Sequence, residues 1–267
     1  MVAGSLLLWQ SGGMPHLPAL VPLVVFDLDG VLVDVSASYR VAIRQTVAAL
    51  GGGEVTPEAV QALKNAGGYN NDWDLSQELL RRRGIAVALP RVIEVFNQKY
   101  LGPGGDGEGG LIQQESWLLQ PELLAALRQR YRLAIFTGRP RADADYVLRR
   151  FAVADAFDHV IGLEDVSVQK PDPEGLFELQ RRHAPAPLAA YIGDSIDDAR
   201  AAAAAEAPFI AIVDAEPPER EERIALFRAS GCQFVTSGAS GVTGASGIAA
   251  DVSAAVRLLL NGSNPTL

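Results

Sequence analysis

The chain has 267 residues, of which 48% are apolar and 21% charged, enough to bury a full core as one large domain or two small ones. A formal net charge of −9 argues against nucleic acid bound through a basic surface, and the single cysteine, Cys232, excludes an intrachain disulfide and a cysteine-based metal site. A reducing, cytoplasmic setting is compatible with the lone cysteine; the apolar stretch at residues 5–9 is too short to span a membrane and lacks a preceding Lys or Arg, so residues 1–20 read as a loose extension or an added edge segment.

The first patterned segment is VVFDLDGVLVD, residues 24–34. An apolar run delivers Asp27 and Asp29 to a strand end, with Gly30 behind them. Two residues apart on an extended chain, the acids start on one side of the strand. Such a pair suggests a cation and a phosphate.

Helical signals follow. Residues 38–50 stop at Gly51-Gly52-Gly53, and Thr56-Pro57 opens a second helix that fades at Gly67-Gly68. Asp74 and Gln77 form a capping-box pattern for a third, and Pro90 starts a fourth that runs to about Leu101. Residues 102–110, GPGGDGEGG, have the composition of a flexible linker. Their match to G-x-G-x-x-G has no preceding strand and is discarded as a dinucleotide site.

From residue 120 helices and strands alternate. Strands are expected at 131–136, 159–163, 188–192, 208–213 and 232–236, separated by helices at 140–151, 173–183, 196–206 and 218–229. A helix at 121–130 precedes the series, and DVSAAVRLLL, residues 251–260, closes the chain. The rhythm predicts an α/β fold, a Rossmann-like parallel sheet with helices on both faces. On this reading residues 1–34 and 114–267 form the α/β core. Residues 35–113 are an inserted all-helical cap above the C-terminal sheet edge, where ligands bind in such folds.

Polar groups collect at the strand ends: Asp27 and Asp29, then Thr137-Gly138-Arg139, then Lys170-Pro171, then Gly193-Asp194 with Asp197 and Asp198. Carboxylates at this density call for a divalent cation, and an all-oxygen ligand set favours Mg²⁺. Thr137 and Lys170 are suited to a phosphoryl group.

In this order the four segments resemble the motifs of the haloacid dehalogenase (HAD) superfamily, and the helical insertion is similar to the α-helical cap of its subfamily I phosphatase-like members. The resemblance covers roughly residues 22–260. It implies a Mg²⁺-dependent phosphatase that hydrolyses a small-molecule phosphate monoester through an aspartyl-phosphate. Asp27 would be the nucleophile and Asp29 the acid/base. Thr137, Lys170 and the Gly138 N–H would hold the phosphoryl oxygens. Asp27, the Asp29 carbonyl and Asp194 would bind the metal, with Asp198 orienting a metal-bound water or Lys170. Asp197 is assigned to capping or structure. An acid at position 29 favours phosphate esters over haloacid or phosphonate substrates. A phosphosugar mutase, or a non-catalytic binding protein on the same fold, are the rival readings.

Substrate contacts are assigned to the glycine-hinged loop at 64–74, through Asn70, Asn71, Asp72 and Trp73, and to Arg139. Tyr39 and Arg40 are further candidates. The expected partner is a small phosphorylated metabolite, with no membrane; the sequence does not indicate an oligomeric state.

Overall fold

The computed structural model describes residues 20–69, 71–214, 219–235 and 247–261. Asn70, nearly all of the N-terminal extension and most of the Gly/Ser-rich stretch at 237–249 lie outside the described residues.

The chain enters through β1 (Leu23–Phe26), four apolar residues that are all buried. Complete burial of a Val, Leu or Phe side chain stabilises the fold by about 1.5–3 kcal/mol. An unbroken apolar run, instead of an alternating one, is what a strand covered on both faces requires. After β2 (Val33–Asp34) come four helices: α1 (Tyr39–Val47), α2 (Pro57–Ala66), α3 (Asp72–Arg82) and α4 (Leu89–Tyr100). Helices α1, α3 and α4 pack on one another, and α1 unwinds through a wide turn at Ala48–Gly52 into the expected glycine stop. β3 (Ser116–Trp117) then pairs antiparallel with β2, so the chain leaves the sheet region and returns to it through one short ribbon. The sequence does not announce this ribbon, because two residues per strand leave no periodicity to read.

The next elements alternate as expected: α5 (Pro121–Arg128), β4 (Arg132–Phe136), α6 (Arg141–Arg150), β5 (His159–Ile161), α7 (Glu174–His183), β6 (Leu188–Gly193), α8 (Ile196–Ala204), β7 (Pro208–Ile212), α9 (Glu219–Ala229) and β8 (Gln233–Phe234); β9 (Ile248–Ala249), at the end of a Gly/Ser-rich stretch that reads as loop, is a further strand, and α10 (Val252–Asn261) follows it. Apart from the β2–β3 ribbon, the described strands form a parallel sheet in the order β5-β4-β1-β6-β7-β8, with β9 also paired to β7. β1 is therefore central, between β4 and β6. The chain moves outward from β1 to one side and then crosses to the other, which makes the C-terminal end of β1 a topological switch point.

Two local expectations are corrected. Residues 102–110 are a series of closed turns, not an open linker: Gly107 N–H donates to Leu101 O at 2.9 Å, and Gly105 and Gly110 close turns on Gly102 and Gly107. The third helix starts at Asp72, ahead of the Asp74 box. Its cap is Asn71, whose extended backbone brings Oδ1 within 2.9 Å of Trp73 N and 3.0 Å of Asp74 N. No described helix is long and apolar enough to cross a membrane.

Candidate active site

The parallel pairing of β1 with β4 and β6 brings three strand ends to one place: Phe26 is level with Ile135 on one side and Ile192 on the other. Asp27 N–H still donates to Ile192 O at 2.8 Å, so the first carboxylate is held by the sheet itself. Gly30 turns the chain away at φ +75, and a Cβ there would overlap Asp194 Oδ2. Only glycine serves at this position, for the left-handed backbone and for the close approach of Asp194.

Lys170 stands behind Asp27. Its Nζ donates to Asp27 Oδ1 at 2.9 Å, to Asp198 Oδ1 at 2.7 Å and to the carbonyl of Phe136 at 3.3 Å. Burial acts to discharge this ammonium, but Asp198 and Asp27 outweigh it and raise its pKa. Asp198 is fixed from both ends: Tyr191 OH donates to Oδ1, and Ser195 donates to Oδ2 through its N–H and hydroxyl. Burial alone would raise the Asp198 pKa; Lys170 and these hydrogen bonds lower it instead.

Asp27 has the opposite balance. Burial pushes its carboxyl well up, Lys170 opposes this, and Asp198, Asp194 and Asp29 add to the rise. Asp194 is pushed up to about 6 by burial and by Asp198. Oxygen atoms of Asp27, Asp194 and Asp198 all lie within 4.8 Å of one another. Asp27 and Asp198 are buried and Asp194 is half-buried; Lys170 pairs with the first two, so the three carboxylates together carry uncompensated negative charge, and the set offers hard oxygen donors only. These residues fit a divalent cation such as Mg²⁺, chiefly through Asp27 and Asp194, since both Asp198 oxygens are already engaged. The Asp29 carboxylate lies apart from this group.

Asp29 turns toward Arg139. Arg139 Nε donates to Asp29 Oδ1 at 3.0 Å, and Nη2 contacts the same oxygen. The guanidinium is buried and pairs along its adjacent edge with Glu115 at 3.0 and 3.2 Å. Its donors face these two acids, so it sits at the pocket wall as part of an ion network and not as a free cation. Thr137 Oγ1 accepts Arg139 N–H at 3.2 Å, which leaves its own hydroxyl hydrogen to donate.

One cavity joins these groups to the helical insertion. Asp27, Asp29, Thr137, Gly138, Arg139 and Asp194 line it from the sheet side; Tyr39, Arg40, Lys64, Tyr69, Asn71, Asp72 and Trp73 line it from the insertion. Among the loop residues singled out from sequence, Asn71 caps α3 and donates to Asp74, while Asp72 pairs with Lys64 at 3.0 Å. Trp73 lines the cavity, packed in part against the core.

Sequence reasoning missed Glu115 and Tyr191. Glu115 is a lone acid at a junction between short elements, with no local pattern around it. Tyr191 is the one polar tip in an apolar strand, a signal that in retrospect pointed to a buried partner.

Residues 21–206 match the sequence family of haloacid dehalogenase-like hydrolases. The chain is 30% identical over 191 residues to a phosphoglycolate phosphatase of Photobacterium profundum, a match covering 69% of this chain and 80% of that one. It is 38% identical over 185 residues to an imidazoleglycerol-phosphate dehydratase of Phytophthora nicotianae, but there the match covers 67% of this chain and only 40% of the relative's length. The crystal structure of a hydrolase from Pseudomonas syringae shares the fold, with a TM-score of 0.62, 21% identity, and coverage of 89% of this chain and 97% of that one.

Proposed function

The chain belongs to the haloacid dehalogenase-like hydrolases and is a phosphatase of that family, and on that premise we propose that it hydrolyses a small, soluble phosphate monoester through a phosphoryl group carried on Asp27. The observation that carries this reading is the convergence of Asp27, Lys170, Asp198 and Asp194 within hydrogen-bond or ligand distance at the end of the central strand.

In the first step an Asp27 oxygen attacks phosphorus. The Asp27–phosphorus bond forms as the ester P–O bond breaks, its electron pair staying with the leaving oxygen, which takes a proton from Asp29. In the second step Asp29 takes a proton from water, the water oxygen attacks phosphorus, and the bond to Asp27 breaks. Inorganic phosphate leaves, Asp27 is again a carboxylate and Asp29 again carries its proton. Thr137 and Lys170 donate hydrogen bonds to the phosphoryl oxygens, with Lys170 held in place by Asp198. Asp27 and Asp194, with the Asp29 carbonyl, would hold Mg²⁺, which when bound supplies positive charge against repulsion between Asp27 and a phosphate dianion.

Residues 35–113 serve as a cap that closes the cavity and excludes water. The relatives' names make 2-phosphoglycolate the first substrate to try. Its carboxylate matches Arg40 and Lys64, the cations that the insertion brings to the cavity.

The test is a phosphate-release assay with Mg²⁺ over a panel of phosphate esters, run on the native chain and on Asp27→Asn. Phosphate release by the native chain and none by a folded Asp27→Asn supports the reading. Full activity in that variant overturns it, and an isomerised ester in place of free phosphate would assign a mutase.

A further inference from the structure

Arg139 is wholly buried, yet it lies between two acids and not at the surface where an arginine is most easily hydrated. Both of its contacts to Asp29 fall on Oδ1. On the adjacent edge of the guanidinium, which shares Nη2, Nη1 meets Glu115 Oε2 at 3.0 Å and Nη2 meets Oε1 at 3.2 Å. Glu115 is in turn fixed by Ser38 Oγ at 2.8 Å and Tyr100 OH at 3.0 Å. The ring of Tyr39 covers the guanidinium carbon at 4.8 Å. Four hydrogen bonds leave at most one of its five N–H groups for any other partner.

An arginine that recognised substrate would present its fork to the cavity. This one presents it to Glu115 and Asp29. A planar group gripped along two adjacent edges has one orientation, and it transmits that orientation to whatever it holds.

We propose that Arg139, set by Glu115, is the positioning residue for Asp29: it fixes the carboxylate through Oδ1 and leaves Oδ2 facing the reacting atoms. The inference rests on the reading of Asp29 as acid/base. Glu115 ties this alignment to α1 and α4 through Ser38 and Tyr100, so the clamp forms only when the insertion is docked as observed.

The test separates proton transfer from binding. An alkyl phosphate leaves as a strongly basic alkoxide and needs the proton from Asp29, whereas 4-nitrophenyl phosphate leaves as a stabilised phenolate and does not. Both esters are turned over by the native chain, Arg139→Lys, Glu115→Gln and Asp29→Asn, using the best alkyl ester from a substrate screen. General acid catalysis contributes roughly 10²–10⁴-fold, so Asp29→Asn should lose at least that much more kcat on the alkyl ester than on the aryl one. Arg139→Lys and Glu115→Gln should show the same split at about tenfold or more, with KM within about threefold of native. Glu115→Gln conserves volume and serves where the arginine variant fails to fold. Equal losses on both esters, or losses confined to KM, overturn the inference while the Asp29 reading stands. No split in Asp29→Asn itself removes that reading, and the inference with it.

Discussion

The backbone N–H of Gly68, on the insertion, donates to both carboxylate oxygens of Asp197, at the start of α8, at 2.8 and 3.1 Å. Gly67 beside it has φ +78, and a Cβ there would overlap the Arg200 guanidinium and lie 2.9 Å from Asp197. The glycine pair thus lets the loop approach the sheet domain closely enough for a main-chain contact.

This contact predicts a separable role for Asp197, which lies next to the machinery without holding Lys170. A hydrogen bond to a charged group contributes about 1.5–3 kcal/mol. Asp197→Ala should raise KM by roughly tenfold or more, and hydrogen exchange at residues 64–69 should speed up. Unchanged exchange there would show that the contact does not hold the loop down.

The acidic cluster predicts cation-linked stability. A ligand at 100 times its Kd stabilises the folded state by about 2.7 kcal/mol, so Mg²⁺ should raise the native Tm by several degrees and EDTA should reverse the rise. Asp194→Asn should abolish the shift. Gly30→Ala should do the same, since its methyl group occupies the place of Asp194 Oδ2. A full Mg²⁺ shift in both variants would place the cation elsewhere.

Asp143 predicts a pH dependence that is independent of the metal. Burial raises its pKa from 3.8 to about 6, with Arg139 opposing and Glu115 and Asp29 adding to the rise. Between these values the folded chain holds a proton that the unfolded chain has released, so stability falls as pH rises through that window. Above about pH 6 the cost is complete. Asp143→Asn should therefore stabilise the chain by about 1–3 kcal/mol at pH 7.5, with the gain fading towards pH 4. Urea unfolding at the two pH values checks this. An equal difference between the two chains at both pH values would contradict it.

The core was legible because its signals are local and repeated. The buried run at Leu23–Phe26 and the strand-helix alternation after residue 120 depend on burial and period, which sequence carries directly. Asp27, Thr137 and Asp194 were legible because each directly follows a strand, and a parallel sheet gathers such positions at one edge; Lys170 stands in the longer loop between β5 and α7. What escaped depends on contacts between distant segments. Glu115 acquires its role only when Ser38, Tyr100 and Arg139 close around it, and Asn71 caps a helix that the Asp74 pattern places slightly later. Arg139 was legible as a pocket residue but not as the partner of Asp29, 110 positions away.

The most direct test of the account traps the phosphoryl group. A phosphate ester is mixed with the enzyme and Mg²⁺, the reaction is quenched during turnover, and any acyl phosphate is reduced with borohydride before peptide mass analysis. The aspartate converted to homoserine should be Asp27, and Asp27→Asn should give neither conversion nor turnover. Steady turnover with Asp27 unmodified at every quench time, together with activity in Asp27→Asn, would contradict it.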